Sequence, residues 1–271
     1  MWETAELGLK ISKAEYEAQV PGLRYELLKA QNQLRQTPIP VVVILAGDDG
    51  PARDHVLDRL YEWLDARYLD VHDADKPTDE EKARPPFWRI WRVLPPRGEI
   101  GIYLGASYHG LFKREFTHKG KAKSDSKQAF RVQSVRNFER MLVDDGALIL
   151  KFFLHLPPKE FRRKEEKKKL YEWTARDRRE YERFGDHRQG IASILHRTSQ
   201  PGARWKVIES TDRRHREIAV AHTLLKALWR RFKHLADARI APDSAAPATP
   251  AEAVDTVLGT VDLSATIDRE Q

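Results

Sequence analysis

Val41-Val42-Val43-Ile44-Leu45-Ala46-Gly47-Asp48-Asp49-Gly50-Pro51-Ala52-Arg53-Asp54 decides the fold. The unbroken run Val41 to Leu45 has the composition of a strand buried on both faces of a parallel sheet. A glycine-bearing turn, Gly47 to Pro51, follows it. Val56, Leu57, Leu60 and Leu64 then recur at helical spacing. Strand, tight turn and helix in this order open an α/β unit.

Outward from that unit, four more short strands fit the same scheme: Tyr68 to His72, Ile100 to Leu104, Ala147 to Phe153 and Trp205 to Glu209. Amphipathic helices fall between them. Phe138, Met141 and Leu142 mark one, with Asp144-Asp145-Gly146 as its stop, and Ile218, Ala221, Leu224, Leu225 and Leu228 mark the last. Ahead of the first strand, a helix is expected over residues 13–36, through Tyr16, Val20, Leu23, Leu27 and Leu34. Pro21 inside it is expected to kink it or to start a new helix. Strands alternating with helices predict a mainly parallel five-stranded sheet covered on both faces.

The chain has 271 residues, with 48 Lys and Arg against 41 Asp and Glu, a formal net charge of +7. Its hydrophobic fraction of 41% is enough for a proper core, and the absence of cysteine excludes disulfides, thiolate metal sites and a cysteine nucleophile. No apolar run approaches the ~20 residues of a membrane span. The N-terminus has no signal-peptide core. The expectation is a soluble, cytoplasmic, basic protein whose partners carry negative charge. One domain is expected over residues 1–235, then an Ala/Pro-rich linker over 236–258. Thr260-Val-Asp-Leu-Ser-Ala-Thr-Ile-Asp-Arg-Glu-Gln271 aligns without gaps to Thr4-Ala-Glu-Leu-Gly-Leu-Lys-Ile-Ser-Lys-Ala-Glu15. Residues 259–271 therefore read as the start of a second, similar domain.

A glycine-bearing loop between a buried strand and a helix is where α/β proteins hold phosphate, on backbone N–H groups and a helix N-terminus. Gly47 to Asp54 has the position of such a cradle without the usual spelling. An Asp-Gly-Pro turn capping a helix explains the same residues equally well.

Longer segments carry more information. They are Pro77-Thr-Asp-Glu-Glu81, Arg84-Pro-Pro-Phe-Trp-Arg-Ile-Trp-Arg-Val-Leu-Pro95 with Gly98-Glu-Ile100, and Phe138-Glu-Arg-Met-Leu-Val-Asp-Asp-Gly146. Lys151-Phe-Phe-Leu-His155, Arg197-Thr-Ser199 and Trp205 to Asp212 complete the set. Through them, residues 1 to 235 resemble the family-2 polyphosphate kinases, and most closely the N-terminal half of the tandem polyphosphate:AMP phosphotransferases. The resemblance implies a P-loop kinase-like three-layer α/β/α fold with a helical lid at about 156–190. It implies Mg²⁺-dependent phosphoryl transfer from inorganic polyphosphate to a nucleotide, giving ADP from AMP, by a homo-oligomer.

The family's Walker A pattern is similar to Gly-x-Asp-x-x-Gly-Lys-Gly. Gly47 and Asp49 match it, whereas Ala52 stands for the second glycine, Arg53 for the lysine and Asp54 for the last glycine. The Walker B pattern resembles Asp-Arg-Ser-Trp-Tyr. Here Leu104 and Gly105 replace the acid and the arginine, and only Tyr108 survives. The resemblance implies Asp49 and Arg53 as catalytic residues, Asp49 as metal ligand, and Gly47, Gly50, Arg53, Arg89, Lys159, Arg162 and Arg163 as phosphate ligands. A carboxylate at Asp54 about 5 Å from a phosphate would cost roughly 3 kcal/mol at an effective dielectric near 20. Leu104 removes the group that organises the metal. Phosphoryl transfer depends almost wholly on positioning and charge neutralisation. This domain is therefore expected to keep the fold with little activity of its own.

The remaining signals have plain readings beside functional ones. The basic run Lys159 to Lys169 reads as a polyphosphate-facing lid or as a solvated helix face. Nucleic acid is not an expected partner, because acids are interleaved and no binding motif is present. Phe87, Trp88 and Trp91 read as core on a helix, with Arg89 and Arg92 alternating toward the cleft.

Overall fold

The computed structural model describes residues 2, 5–73, 78–85, 87–105, 125–167 and 172–240. The chain divides into one unit, Met1–Phe232, and a second, Lys233–Gln271, of which the described residues 233–240 are helical.

Five strands, β1 (Val41–Gly47), β2 (Leu69–Asp73), β3 (Ile100–Leu104), β4 (Leu148–His155) and β5 (Trp205–Glu209), form one sheet in the order β2-β3-β1-β4-β5. Every pairing is parallel. The expected sheet is therefore present, and all-parallel. In β1 the first six residues are buried, as the unbroken apolar run required. It sits at the centre, with Val41 level with Ile100 on one side and Leu148 on the other. β2 and β4 each begin a residue later than expected.

Helix α1 (Lys13–Leu34) runs unbroken through Pro21. Its start is fixed by Ser12, whose hydroxyl accepts the Glu15 N–H while Glu15 returns the bond to the Ser12 N–H. Helix α2 (Gly50–Trp63) leaves β1, and α3 (Asp79–Ala83) and α4 (Trp88–Trp91) precede β3. Phe87, expected inside the α4 helix, is instead its cap at φ 69°. It lies ring to ring on Phe138 at 4.8 Å, so packing holds the unfavourable backbone. Helix α5 (Asp125–Asp144) leads into β4, and α6 (Pro158–Glu166), α7 (Ala175–Asp186) and α8 (Arg188–Thr198) separate β4 from β5. Helix α9 (Arg213–Ile240) follows β5 and extends into the stretch whose composition reads as linker, because Ala and Arg are good helix formers.

Alternation along the strands builds two layers. Val42, Ile44, Ala46, Phe153 and Trp205 pack on one face against Val135, Phe138 and Leu142 of α5 and Ile191, Ile194 and Leu195 of α8. α1, α2 and α9 are tied to one another by Glu217, which accepts from Arg213 at 2.8 Å, faces Arg59 at 3.5 Å and bonds the Tyr16 hydroxyl. Lys151 is fully buried in β4, its ammonium 2.8 Å from Glu139 and 2.7 Å from the Thr198 carbonyl.

Candidate functional site

β1 sends the chain toward β2 and β4 sends it toward β5, so connections diverge beyond the carboxyl ends of the two central strands. Ligand crevices of open α/β sheets form at such points. Gly47 ends β1 there at φ 150°. A methyl at Gly47 would lie 2.1 Å from the Leu154 carbonyl oxygen, so only glycine lets the loop leave against β4.

Asp49 is buried as the cap of α2, its Oδ1 accepting the Ala52 N–H at 3.1 Å. Its Oδ2 accepts the Ser210 hydroxyl at 2.5 Å. Both readings of this loop thus meet: it lies at the cradle position, and its aspartate caps the helix. Capping consumes a donor that an anion would use, and Pro51 has no N–H to offer. Two cations answer the Asp49 charge. Burial pulls Lys164 of α6 below its ordinary range, with Asp49 opposing that pull. Arg216 of α9 behaves the same way; it donates to the Ser210 carbonyl at 2.7 Å and lies 2.9 Å from His55 Nδ1.

Asp48, one residue earlier, is also buried. Its Oδ1 accepts the Leu156 N–H at 2.8 Å and its Oδ2 lies 2.6 Å from His155 Nδ1. Gly50 begins α2 under the lid, where an added methyl would reach 2.5 Å from Asp177 Oδ1 at the first turn of α7. The lid carries its own small core of Leu156, Phe161, Trp173 and Tyr181, with Phe161 stacked on Tyr181 at 4.0 Å. The Tyr181 hydroxyl donates to the Leu156 carbonyl at 2.9 Å.

The other expected site residues are dispersed. Arg53 faces Asp54 at 3.4 Å, and the Asp54 side chain is 60% exposed. Water screens that carboxylate, so its penalty on an anion is smaller than the figure for a dielectric of about 20. Leu104 ends β3 level with Leu45, and Gly105, at φ 71°, donates to the Leu45 carbonyl at 2.8 Å. Arg89 pairs with Glu81 at 3.5 Å. On α6, Lys159, Arg162 and Arg163 are exposed, Arg163 pairing with Glu160 at 3.2 Å. Lys168 to Lys169 and Tyr108 lie outside the described residues.

Sequence reasoning missed Lys164, Ser210, Arg216 and the partners of Asp48. Ser210-Thr-Asp212 directly follows a strand, which is a signal for an edge residue; Lys164 is one of many lysines and carries none.

Asp49, whose oxygens each already accept a hydrogen bond, is a poor donor for Mg²⁺, which is bound through one or two carboxylates plus phosphate oxygens. Among the described residues no group of three or more His, Cys, Asp or Glu is placed to hold a metal.

The strand order, the β1–α2 loop and the helical lid define a P-loop kinase-like α/β protein. The chain belongs to the polyphosphate kinase 2 (PPK2) family, whose model matches residues 10–235. It is 38% identical over 238 residues to a polyphosphate:AMP phosphotransferase of Pseudomonas aeruginosa, covering 84% of this chain and 47% of that protein. A protein of the same name from Pseudomonas syringae pv. tomato is 33% identical over 289 residues, covering 100% of this chain and 55% of its own. A crystal structure described as a polyphosphate kinase 2 from Pseudomonas aeruginosa PA01 superposes with a TM-score of 0.74 at 35% identity, over 88% of this chain and 50% of that one. The chain spans about half the length of the curated relatives it matches. No helix among the described residues is long and apolar enough to cross a membrane.

Proposed function

We propose that this chain is the N-terminal domain of a polyphosphate:AMP phosphotransferase, binding inorganic polyphosphate while contributing little phosphoryl transfer itself. The observation that carries the reading is Asp49, whose own carboxylate takes the α2 donor at Ala52 and is held there by Ser210. Leu104 in place of the acid supports it from the neighbouring strand. The near-repeat of residues 4–15 at 260–271 supports a second domain in the same chain. AMP and ADP would be the nucleotides, and the assembly a cytoplasmic homo-oligomer.

The residues' own chemistry fits binding better than transfer. Lys164 and Arg216 supply positive charge beside the loop, and Lys159 and Arg162 present it on the outer face of α6. Asp49 puts negative charge where a migrating phosphoryl group needs donors. The family resemblance places Mg²⁺ on Asp49, whose two oxygens are already taken by Ala52 and Ser210. Removing one stabiliser of developing charge commonly costs about 10²–10³ in rate.

The test is ADP formation from AMP and polyphosphate by this chain, beside binding of polyphosphate without Mg²⁺. Salt-dependent binding with turnover at least about 10²-fold below the Pseudomonas aeruginosa relative is expected. Turnover within about tenfold of that relative would overturn the reading. The combined variant Ala52→Gly, Arg53→Lys, Asp54→Gly, Leu104→Asp is expected to regain turnover if the rest of the crevice is intact.

A further inference from the structure

The N-terminal segment meets the carboxyl ends of β4 and β5 at three points. Trp2 lies over His155 at 4.6 Å and Phe153 at 5.8 Å. Glu6 bonds both His155, at 2.9 Å, and Arg188 of α8. The Gly8 N–H donates to Glu209, the last residue of β5, at 2.8 Å.

His155 is the centre of this arrangement. Its Nδ1 is 2.6 Å from Asp48 Oδ2 while its Nε2 is 2.9 Å from Glu6 Oε1. A neutral imidazole has one N–H and one lone pair, so only the imidazolium donates to both carboxylates at once. The other Asp48 oxygen holds the Leu156 N–H, and α6 of the lid departs two residues later. One ring therefore joins the N-terminal segment, the β1–α2 loop and the hinge of the lid.

We propose that the N-terminal segment is a proton-dependent strap: His155 protonated on both ring nitrogens fastens Glu6 to Asp48 and keeps the lid hinge against the loop, and loss of that proton loosens it. The proposal stands apart from the phosphotransferase reading, since none of its observables is turnover.

The groups facing His155 fix the sign. Asp48 faces it from the loop, with Asp49 adjacent, and Glu6 from the strap; Arg188 Nη2 faces it from α8 at 3.4 Å. Burial pushes the Tyr181 phenol of α7 up, and the Asp48 charge adds to that push. Burial disfavours the imidazolium and Arg188 opposes it, yet the two carboxylates outweigh both and raise His155 above its ordinary 6.5. Burial pushes Glu6 up, but His155 and Arg188 together hold it below its ordinary 4.5. The His155 contribution is thus complete below 6.5 and is lost as pH rises through its raised pKa. The Glu6 contribution is complete above 4.5 and is lost as pH falls through its lowered one.

The experiment is an NMR titration of His155 in the whole chain, with amide exchange of Gly8 and Leu156 corrected for intrinsic rates. His155 is expected to titrate above 6.5, with protection of both amides falling over the same pH interval. Glu6 is part-exposed, so Glu6→Gln keeps the fold. It is expected to lower the proton affinity of His155 at least about tenfold and to move the protection loss to lower pH. Titration at or below the ordinary value, an unchanged titration in Glu6→Gln, or protection of Gly8 and Leu156 that ignores pH would each overturn the proposal.

Discussion

The carboxyl edge of the sheet has two unlike halves. Beyond β3 the described chain presents Leu104 and Gly105, whose N–H donates to the Leu45 carbonyl. At the ends of β1, β4 and β5 it presents Asp48, Asp49, His155, Glu209 and Ser210, each bonded to a residue far away in sequence. The buried polar groups described at this edge follow β1, β4 and β5, and there they hold chain segments together: Asp49 caps a helix, Asp48 fixes the lid hinge, Glu209 holds the N-terminal segment. Family membership sets the layout of such an edge. Whether the layout leaves donors free for a substrate depends on what each group is already bonded to.

Substitutions can break or sharpen that contrast. Gly47→Ala strikes the end of β1 on the polar side, against β4, and is expected to cause the largest loss. Backbone meets backbone at the added methyl, and a cost above about 4 kcal/mol or outright failure to fold should be seen in urea unfolding. Lys151→Met removes the ammonium 2.8 Å from the buried Glu139 carboxylate. It is expected to cost about 3–5 kcal/mol in the same assay, much of it recovered by adding Glu139→Leu. Ser210→Ala removes a hydrogen bond to a buried carboxylate on the polar half, with an expected loss of about 1.5–3 kcal/mol. Asp54→Ala on the solvent side of α2 should change stability by less than about 0.5 kcal/mol. An Asp54→Ala effect as large as that of Ser210→Ala would erase the difference between the two sides.

Most of the architecture was legible in the residues. β3 and β5 have the expected bounds because each is a short stretch rich in strand-forming residues between clear turn residues. β4 extends to His155, beyond its apolar run, because pairing with β5 continues through His155 and Glu209. The loop was legible as a place, since a buried strand followed by a glycine turn and a helix has few other uses. Its bonding was not. Asp49 and Ser210 are 161 positions apart, as are His55 and Arg216, and His155 and Glu6 are 149 apart.

By itself, the sequence determined a parallel sheet with helices between its strands, and a glycine where β1 ends. Local apolar period, turn chemistry and the steric freedom of one backbone position decide those features, and all act within a few residues. Only the tertiary structure decided that Asp49 is spent on Ala52 and Ser210, that Lys164 and Arg216 answer it, and that His155 stands between two carboxylates. A carboxylate's role follows from the donors within about 3 Å of it, and folding brings those donors from distant parts of the chain.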